Sequence, residues 1–321
     1  MSDLGRWPGR RVYMNDEEYR KLTRKIKGAC VLALPQSAAK ILELAKDPDS
    51  GPPEFAAAIS VDLGLTSQIL RFVNSSYFGF RSKITTIQMA LSLVYGRTIR
   101  NFILWNAVFA LLPNPKCGPF ELKKICQDAM RRGIFARALA SYFMELDAEE
   151  LFICAMFQDM ALPVLAQTWP VEYAEILGAR QKDGKRLSEF EQAKFGWDHA
   201  IAGAFLVHEW GFDDKFADSI EAHTKTDFRF DTHTATPAQL RNAIVAVSSF
   251  LPSVLDDEWT EADRFLEGYF RVHRKGIPYP DSLFRMIDQQ VVEMMAIAQL
   301  EQVPKTLIDF HRQYLTKMDN S

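Results

Sequence analysis

Three side chains near the middle of the sequence have the chemistry of metal ligands: Asp159, His199 and His223. Asp159 lies in the apolar segment MFQDMAL, so its carboxylate is expected to face the interior. A buried carboxylate needs a cation, a metal or several hydrogen-bond donors. His199 begins one predicted helix and His223 ends another, so both imidazoles can point into one cleft with Asp159. Such a set can bind a divalent ion, and the ion can activate water.

A site without metal is the alternative, and residue spacing alone favours it. In that interpretation Asp159 is satisfied by backbone amides or by one of the histidines. His208 belongs to neither arrangement, because nine helical residues separate it from His199 and place it on the opposite face.

The elements that carry these residues are predicted to be helices. Apolar residues recur at helical spacing from Leu34 onward, and no β-alternating run or fixed-period repeat occurs. The sequence therefore predicts an all-α protein. A capping box of Ser188 and Glu191 is expected to open one further helix. The other predicted helices cover residues 35–46, 54–60, 63–76, 87–95, 98–112, 122–143, 149–168, 171–181, 198–210, 213–225, 237–254, 260–274 and 281–302.

Composition excludes several classes of protein. The 321 residues are 48% apolar and 25% charged, with a net charge of -3, which is typical of a soluble globular protein and gives no general attraction to nucleic acid. Four cysteines without a CxxC pair indicate a reducing compartment. No secretory signal and no run of 18 apolar residues occurs, so we expect a cytoplasmic protein that does not bind membranes. Phosphate-binding loops, GxSxG and HExxH motifs do not occur either.

Several segments, taken in order, resemble the HDOD domain, a bacterial signalling module related to the HD-type metal phosphohydrolases. The opening has the family's Leu-Pro start, its Asp-Pro interruption and its NS..y stretch. The later segments resemble the family's HD-pair helix, its "g.dHaelGa" segment and its "HH" ending. The segments are LPQSAAKILELAKDPDSGPPEFAAAISVDLGLTSQILRFVNSSYFGF, FICAMFQDMALPVL, GWDHAIAGAFLVHEWGF and SIEAHT.

This resemblance implies a reduced metal site. The HD phosphohydrolases use an early His, a His-Asp pair and further His or Asp ligands around one or two metals. Here Gln158 replaces the His of the pair, Thr224 replaces the second His of "HH", and the early position lies near Arg131. An amide is a weaker ligand than imidazole, and a guanidinium cannot bind a metal. If Arg131 approaches Asp159, a salt bridge fills the space that a metal would take. The pocket implied by the resemblance comprises Arg131, Gln158, Asp159, His199, His223 and Thr224.

The resemblance also implies a division of the chain. It covers roughly residues 28–230, as an N-terminal helical bundle at 28–115 packed on an HD-like helical half at 116–230. A basic arm at 1–27 precedes it, and a helical extension at 231–321 follows. The motif residues Asn74, Ser75 and Tyr77 are expected to have structural roles.

The function implied is regulatory. We expect a signal-transduction protein that acts through contacts with another signalling protein, without catalysis or cofactor; a second copy of the chain is a further candidate partner. The alternative is a metal-dependent phosphohydrolase or phosphodiesterase, with one divalent ion on Asp159, His199 and His223. A third candidate is a DNA-binding regulator, since segment 56–74 has a helix-turn-helix shape with Thr66, Ser67, Gln68 and Arg71 on its second helix. Basic residues are sparse there, so a nucleic-acid partner is not expected.

Overall fold

The structure, a computed structural model, describes Arg24 and residues 36–319 apart from 48–49, 76–77, 95, 116, 119, 184 and 226–233. The expected basic arm, except for Arg24, and the motif residue Tyr77 lie outside the described residues. The elements of the described part are α-helices, and no β-strand occurs among them, so the all-α prediction is confirmed.

The helices fall into three groups along the chain. The first group is α1 Gln36–Lys46, α2 Pro52–Ser60, α3 Leu63–Val73, α4 Ile87–Leu93 and α5 Gly96–Leu111. The second is α6 Leu122–Ala140, α7 Ala148–Phe157, α8 Ala161–Thr168, α9 Pro170–Asp183, α10 Leu187–Phe195, α11 His199–Glu209 and α12 Asp214–Ala222. The third is α13 Pro237–Ser249, α14 Ala262–Val272, α15 Pro280–Ile297 and α16 Leu307–Asp319.

Helix α3 shows how the first group is built. Its buried stripe is the one that helical spacing predicts. Asp62 caps the helix by accepting a hydrogen bond from Leu65 N at 2.9 Å, and Asn74 ends it. The Asn74 side chain donates to Leu70 O and Ile84 O, both at 2.7 Å, and accepts from Ile84 N at 2.8 Å. Asn74 therefore ties the end of α3 to the segment before α4. The stripe comprises Leu65, Ile69, Phe72 and Val73.

The single helix predicted at 149–168 is wrong, because α7 and α8 are separated by a turn at Gln158–Met160. The sequence pattern does not reveal this turn, because apolar residues continue at helical spacing on both sides of it. The stretch Ala148–Thr168 is long and apolar enough to cross a membrane, but 89% of its most apolar 18-residue window is buried inside the protein, as in a core helix. Two further differences occur in the chain. Arg186 rather than Ser188 precedes α10, with Glu189 as the capping carboxylate, and α16 lies beyond the last helix that the sequence predicts.

Helix α6 is the centre of the packing. It contacts α7 from the second group and α13 and α15 from the third. Gly133 permits the close approach of α6 to α7: a Cβ at this position would overlap Met156 and lie 3.0 Å from Phe152 O. The functional residues on α6 and at the end of α7 are therefore held by two helices in backbone-level contact.

We expect Gly133→Ala to lower the free energy of unfolding by about 1–3 kcal/mol, because the added methyl group overpacks the interface between α6 and α7. Urea denaturation followed by circular dichroism measures the change. Gly178→Ala is the matched control, since a Cβ there meets no atom within 4 Å on an exposed face of α9. The control should be stabilised by roughly 0.5–1 kcal/mol through helix propensity. Equal effects of the two substitutions would contradict the close approach.

Candidate functional site

Asp159, His199 and His223 meet in the structure, and all three are buried. His199 Nε2 lies 3.1 Å from His223 Nε2 and 3.2 Å from Asp159 Oδ1. The third distance, from His223 Nε2 to Asp159 Oδ1, is 3.4 Å. One carboxylate oxygen and two imidazole nitrogens therefore form a nearly equilateral triangle.

Local structure explains why these three side chains converge. Asp159 lies in the turn between α7 and α8, so the break in the apolar helix places it at a helix end instead of on a helix face. His199 is the first residue of α11, fixed by the cap that Asp198 forms with Ile201 N at 3.1 Å. His223 follows the last residue of α12. The site thus collects residues from three helix termini.

The hydrogen-bond partners of the two histidines fix their tautomers. His223 Nδ1 lies 2.5 Å from the carbonyl oxygen of Ile220, which can only accept, so Nδ1 is the donor. His199 Nδ1 lies 2.5 Å from the Glu191 carboxylate and donates to it. In the neutral form, both rings then present an unprotonated Nε2 to Asp159. Burial, followed by the nearby His199, holds the pKa of His223 well below its usual range, which favours that neutral form.

This donor set fits one divalent ion. Ligand atoms about 2.0–2.2 Å from one ion lie roughly 3.0–3.5 Å from each other. The observed separations of 3.1, 3.2 and 3.4 Å are in that range. Two imidazoles with one carboxylate is also a common ligand set for zinc and iron. The hydrogen bonds from His199 Nδ1 to Glu191 and from His223 Nδ1 to Ile220 O are of the kind that orients the imidazole of a metal-binding histidine.

The cation already present beside Asp159 is an arginine. The Arg132 guanidinium contacts Asp159 Oδ2, the oxygen that is not part of the triangle. The sequence analysis considered Arg131 for this contact, and the neighbouring Arg132 makes it instead. Arg131 instead donates to Pro252 O at 2.9 Å and to Lys305 O at 2.8 Å. Successive residues of an α-helix point about 100° apart around its axis, so Arg131 faces the third group of helices when Arg132 faces Asp159.

The other two predicted pocket residues have partners elsewhere. Gln158 is fully buried, and its amide lies 3.4 Å from the Ser248 hydroxyl on α13. Thr224 donates from Oγ1 to Asp198 at 3.0 Å. His208 is partly exposed near Asp214 and stays outside the triangle, as the helical spacing predicts. The structure therefore brings together three of the six predicted pocket residues, in positions that could hold a metal ion.

Glu191 is a functional residue that the sequence interpretation missed. Its carboxylate is fully buried and accepts hydrogen bonds from His199 N at 2.9 Å, His199 Nδ1 at 2.5 Å and the Tyr173 hydroxyl at 2.6 Å. Burial, together with Glu191, raises the pKa of Tyr173 well above its usual range, so the phenol remains a donor. The spacing from Ser188 suggested a capping role. An acid eight residues before a ligand histidine was the available signal.

Asp159, His199 and His223 line part of a small cavity of about 80 Å³. Its wall carries three arginines, three serines and two further carboxylates besides that of Asp159. Burial raises the pKa of the Asp128 carboxyl, and the charge of Arg132 opposes that rise. Besides the three residues of the triangle, the polar residues of the wall are Asp128, Arg132, Arg180, Arg186, Ser188, Ser249, Ser253 and Glu261.

We expect Glu191→Gln to lower the free energy of unfolding by about 2–4 kcal/mol, because charge-assisted hydrogen bonds to His199 and Tyr173 are weakened. Urea denaturation measures it. Glu175→Gln, in an exposed ion pair with Lys194, is the matched control and should leave the midpoint nearly unchanged. An unchanged midpoint in Glu191→Gln would show that this carboxylate does not hold the site together.

Several known proteins share this architecture. An HDOD domain protein of unknown function from Geobacter sulfurreducens matches with a TM-score of 0.66 and 17% identity, over 89% of this chain and 99% of that one. A Shewanella amazonensis SB2B protein with the provisional name of phosphohydrolase matches with a TM-score of 0.60 and 19% identity, over 91% and 97%. A Marinobacter aquaeolei VT8 protein, provisionally named a signal transduction protein, matches with a TM-score of 0.60 and 17% identity, over 88% and 62%.

The sequence comparisons agree with the shared architecture. An uncharacterized protein of Treponema pallidum (strain Nichols) is 25% identical over 249 residues, which are 74% of this chain. The chain spans 46% of the length of that relative. The model of the HDOD domain matches residues 31–226, more than half of the chain. Together with the helical architecture and the Asp159, His199 and His223 triangle, that match shows that the chain belongs to the HDOD domain family.

Proposed function

We propose that this chain is a regulatory signal-transduction module that acts through contacts with another protein and does not hydrolyse phosphate esters. The observation that carries the proposal is the Arg132 guanidinium on Asp159. Hydrolysis at a pair of metals requires two ions about 3.5–4 Å apart. Here Asp159 Oδ2, the oxygen that would face a second ion, contacts the Arg132 guanidinium, and a guanidinium cannot activate water.

The surrounding residues support the same proposal. The side chains at two further ligand positions, Gln158 and Thr224, are hydrogen-bonded to Ser248 and Asp198 and do not face the triangle. Among the described residues, the only cluster of three potential ligand atoms is Asp159, His199 and His223. The donor set therefore suffices for one ion at most.

A regulatory module works by shifting populations. A partner or small ligand that binds one arrangement of the helices more tightly favours that arrangement. The partner we propose is another signalling protein, or a second copy of the chain. The provisional name of the Marinobacter aquaeolei relative is in keeping with this role.

The second candidate is a phosphohydrolase with one metal, and one observation favours it. In their neutral tautomers, His199 and His223 present Nε2 lone pairs that converge with Asp159 Oδ1. A divalent ion held by the three residues would supply a bound water of lowered pKa as nucleophile. Glu191 and Ile220 O would hold the two histidines in the ligating tautomer. The provisional name of the Shewanella amazonensis relative is in keeping with this candidate.

A hydrolysis assay separates the two candidates. The full chain, purified without chelator and supplied with Mn²⁺, is incubated with bis(p-nitrophenyl) phosphate. We expect p-nitrophenol release no faster than with the Asp159→Asn variant, because Arg132 and the replaced ligands leave no complete hydrolytic centre. Metal analysis and circular dichroism on both proteins confirm loading and folding. Release that depends on Mn²⁺ and is lost in Asp159→Asn would reject the regulatory proposal and support the hydrolase.

A further inference from the structure

The cavity that the triangle lines is closed on one side by residues outside the family match, which ends at residue 226. The closing segment, residues 250–261, connects α13 to α14. It places Ser253, Leu255 and Glu261 in the cavity wall. Asp128 holds the segment in place by accepting hydrogen bonds from Ser253 Oγ at 2.5 Å and Val254 N at 2.8 Å.

The closing segment supplies a carboxylate to Arg186. Arg186 Nε lies 3.0 Å from Glu261 Oε1, and the guanidinium also donates to Ser249 Oγ at 2.7 Å and Thr224 O at 3.2 Å. Its planar face lies over the Phe250 ring at 4.6 Å. The Arg186 side chain is 8% exposed, so stacking and hydrogen bonds fix its orientation.

A second arginine of the cavity is arranged in the same way. Arg180 Nη2 lies 3.3 Å from Asp256 Oδ1, also in the closing segment. Two neighbouring arginines of the HD-like half are thus each paired with a carboxylate from one later loop. Both carboxylates are near solvent, with side-chain exposures of 19% for Glu261 and 21% for Asp256.

A guanidinium recognises carboxylate and phosphate with the same hydrogen-bond fork. The Ser188 hydroxyl, also in the wall, is a further donor for a phosphate oxygen. At about 10–15 Å³ for each water, the cavity has room for several waters, which is the scale of one phosphate group. Glu261 also has Arg264 as a second partner, at 3.4 Å, which can keep its charge paired if it leaves Arg186.

We propose that this cavity binds a phosphate group, whose oxygens replace Glu261 on Arg186 and Asp256 on Arg180. The group belongs to free inorganic phosphate or to a small phosphate monoester. Binding exchanges two internal carboxylates for an external anion, so it removes two ion pairs between the closing segment and the HD-like half, while the hydrogen bonds to Asp128 remain. This ligand site goes beyond the proposed regulatory function and holds whether or not the chain hydrolyses esters, so the hydrolysis assay and a binding test fail independently.

Isothermal titration calorimetry of the full chain with inorganic phosphate tests the proposal, and ribose 5-phosphate is the second probe. We expect Glu261→Gln to bind phosphate roughly tenfold or more tightly than the unsubstituted chain, because a competing charge-assisted hydrogen bond is removed. Asp257→Asn is the matched control, because this exposed acid lies in the same segment and contacts Lys305 through its backbone carbonyl oxygen. The affinity of this variant for phosphate should equal that of the unsubstituted chain.

The double variant Arg186→Gln/Glu261→Gln removes the arginine without leaving a buried charge unpaired, and it should lose phosphate binding while remaining folded. Tighter binding of ribose 5-phosphate would identify a monoester as the ligand, and tighter binding of inorganic phosphate would identify the free ion; both support the site. Equal affinities for Glu261→Gln and the unsubstituted chain, or binding retained in the folded double variant, would overturn the proposal and leave the two ion pairs as structural ties.

Discussion

The buried contact between Asp159 and Arg132 is the interaction on which the site depends. Removing a carboxylate from water costs several kcal/mol unless a cation and hydrogen bonds compensate it. The turn between α7 and α8 places Asp159 in the interior, and α6 presents the guanidinium to it. Because Gly133 lets these two helices touch, the pair is held by the closest helix packing around the site. Removing Arg132 leaves the buried Asp159 carboxylate without its cation, whereas Arg132 still has the Asp128 carboxylate nearby when Asp159 is replaced.

Hydrogen-bond acceptors, rather than an ion pair, fix the tautomers of His199 and His223. Glu191 and the Ile220 carbonyl oxygen take the Nδ1 protons and leave both Nε2 atoms facing Asp159 Oδ1. The two oxygens of Asp159 therefore face opposite environments. One faces an arginine, and the other faces two lone pairs. This division lets a single carboxylate satisfy a structural ion pair and still present an oxygen for one divalent ion.

Much of this arrangement could be predicted from the sequence. Helical spacing predicted the class of fold and the buried stripe of α3, and residue chemistry selected Asp159, His199 and His223. The missed features have different causes. Arg131 and Arg132 have the same local pattern, and only the packing of α13 and α15 on α6 decides which of them reaches Asp159. Glu191 resembles a capping residue until His199 is seen beside it. The turn after Phe157 is hidden because the apolar pattern continues through it.

The central claim is that Asp159 keeps Arg132 and leaves room for one cation at most. Anomalous diffraction from crystals of the full chain grown with excess Zn²⁺ tests it most directly. We expect no more than one anomalous peak at the site, within bonding distance of Asp159, His199 and His223, with the Arg132 guanidinium still on the second oxygen of Asp159. Two peaks about 3.5–4 Å apart, with Arg132 displaced from Asp159, would contradict it and show a complete hydrolytic centre.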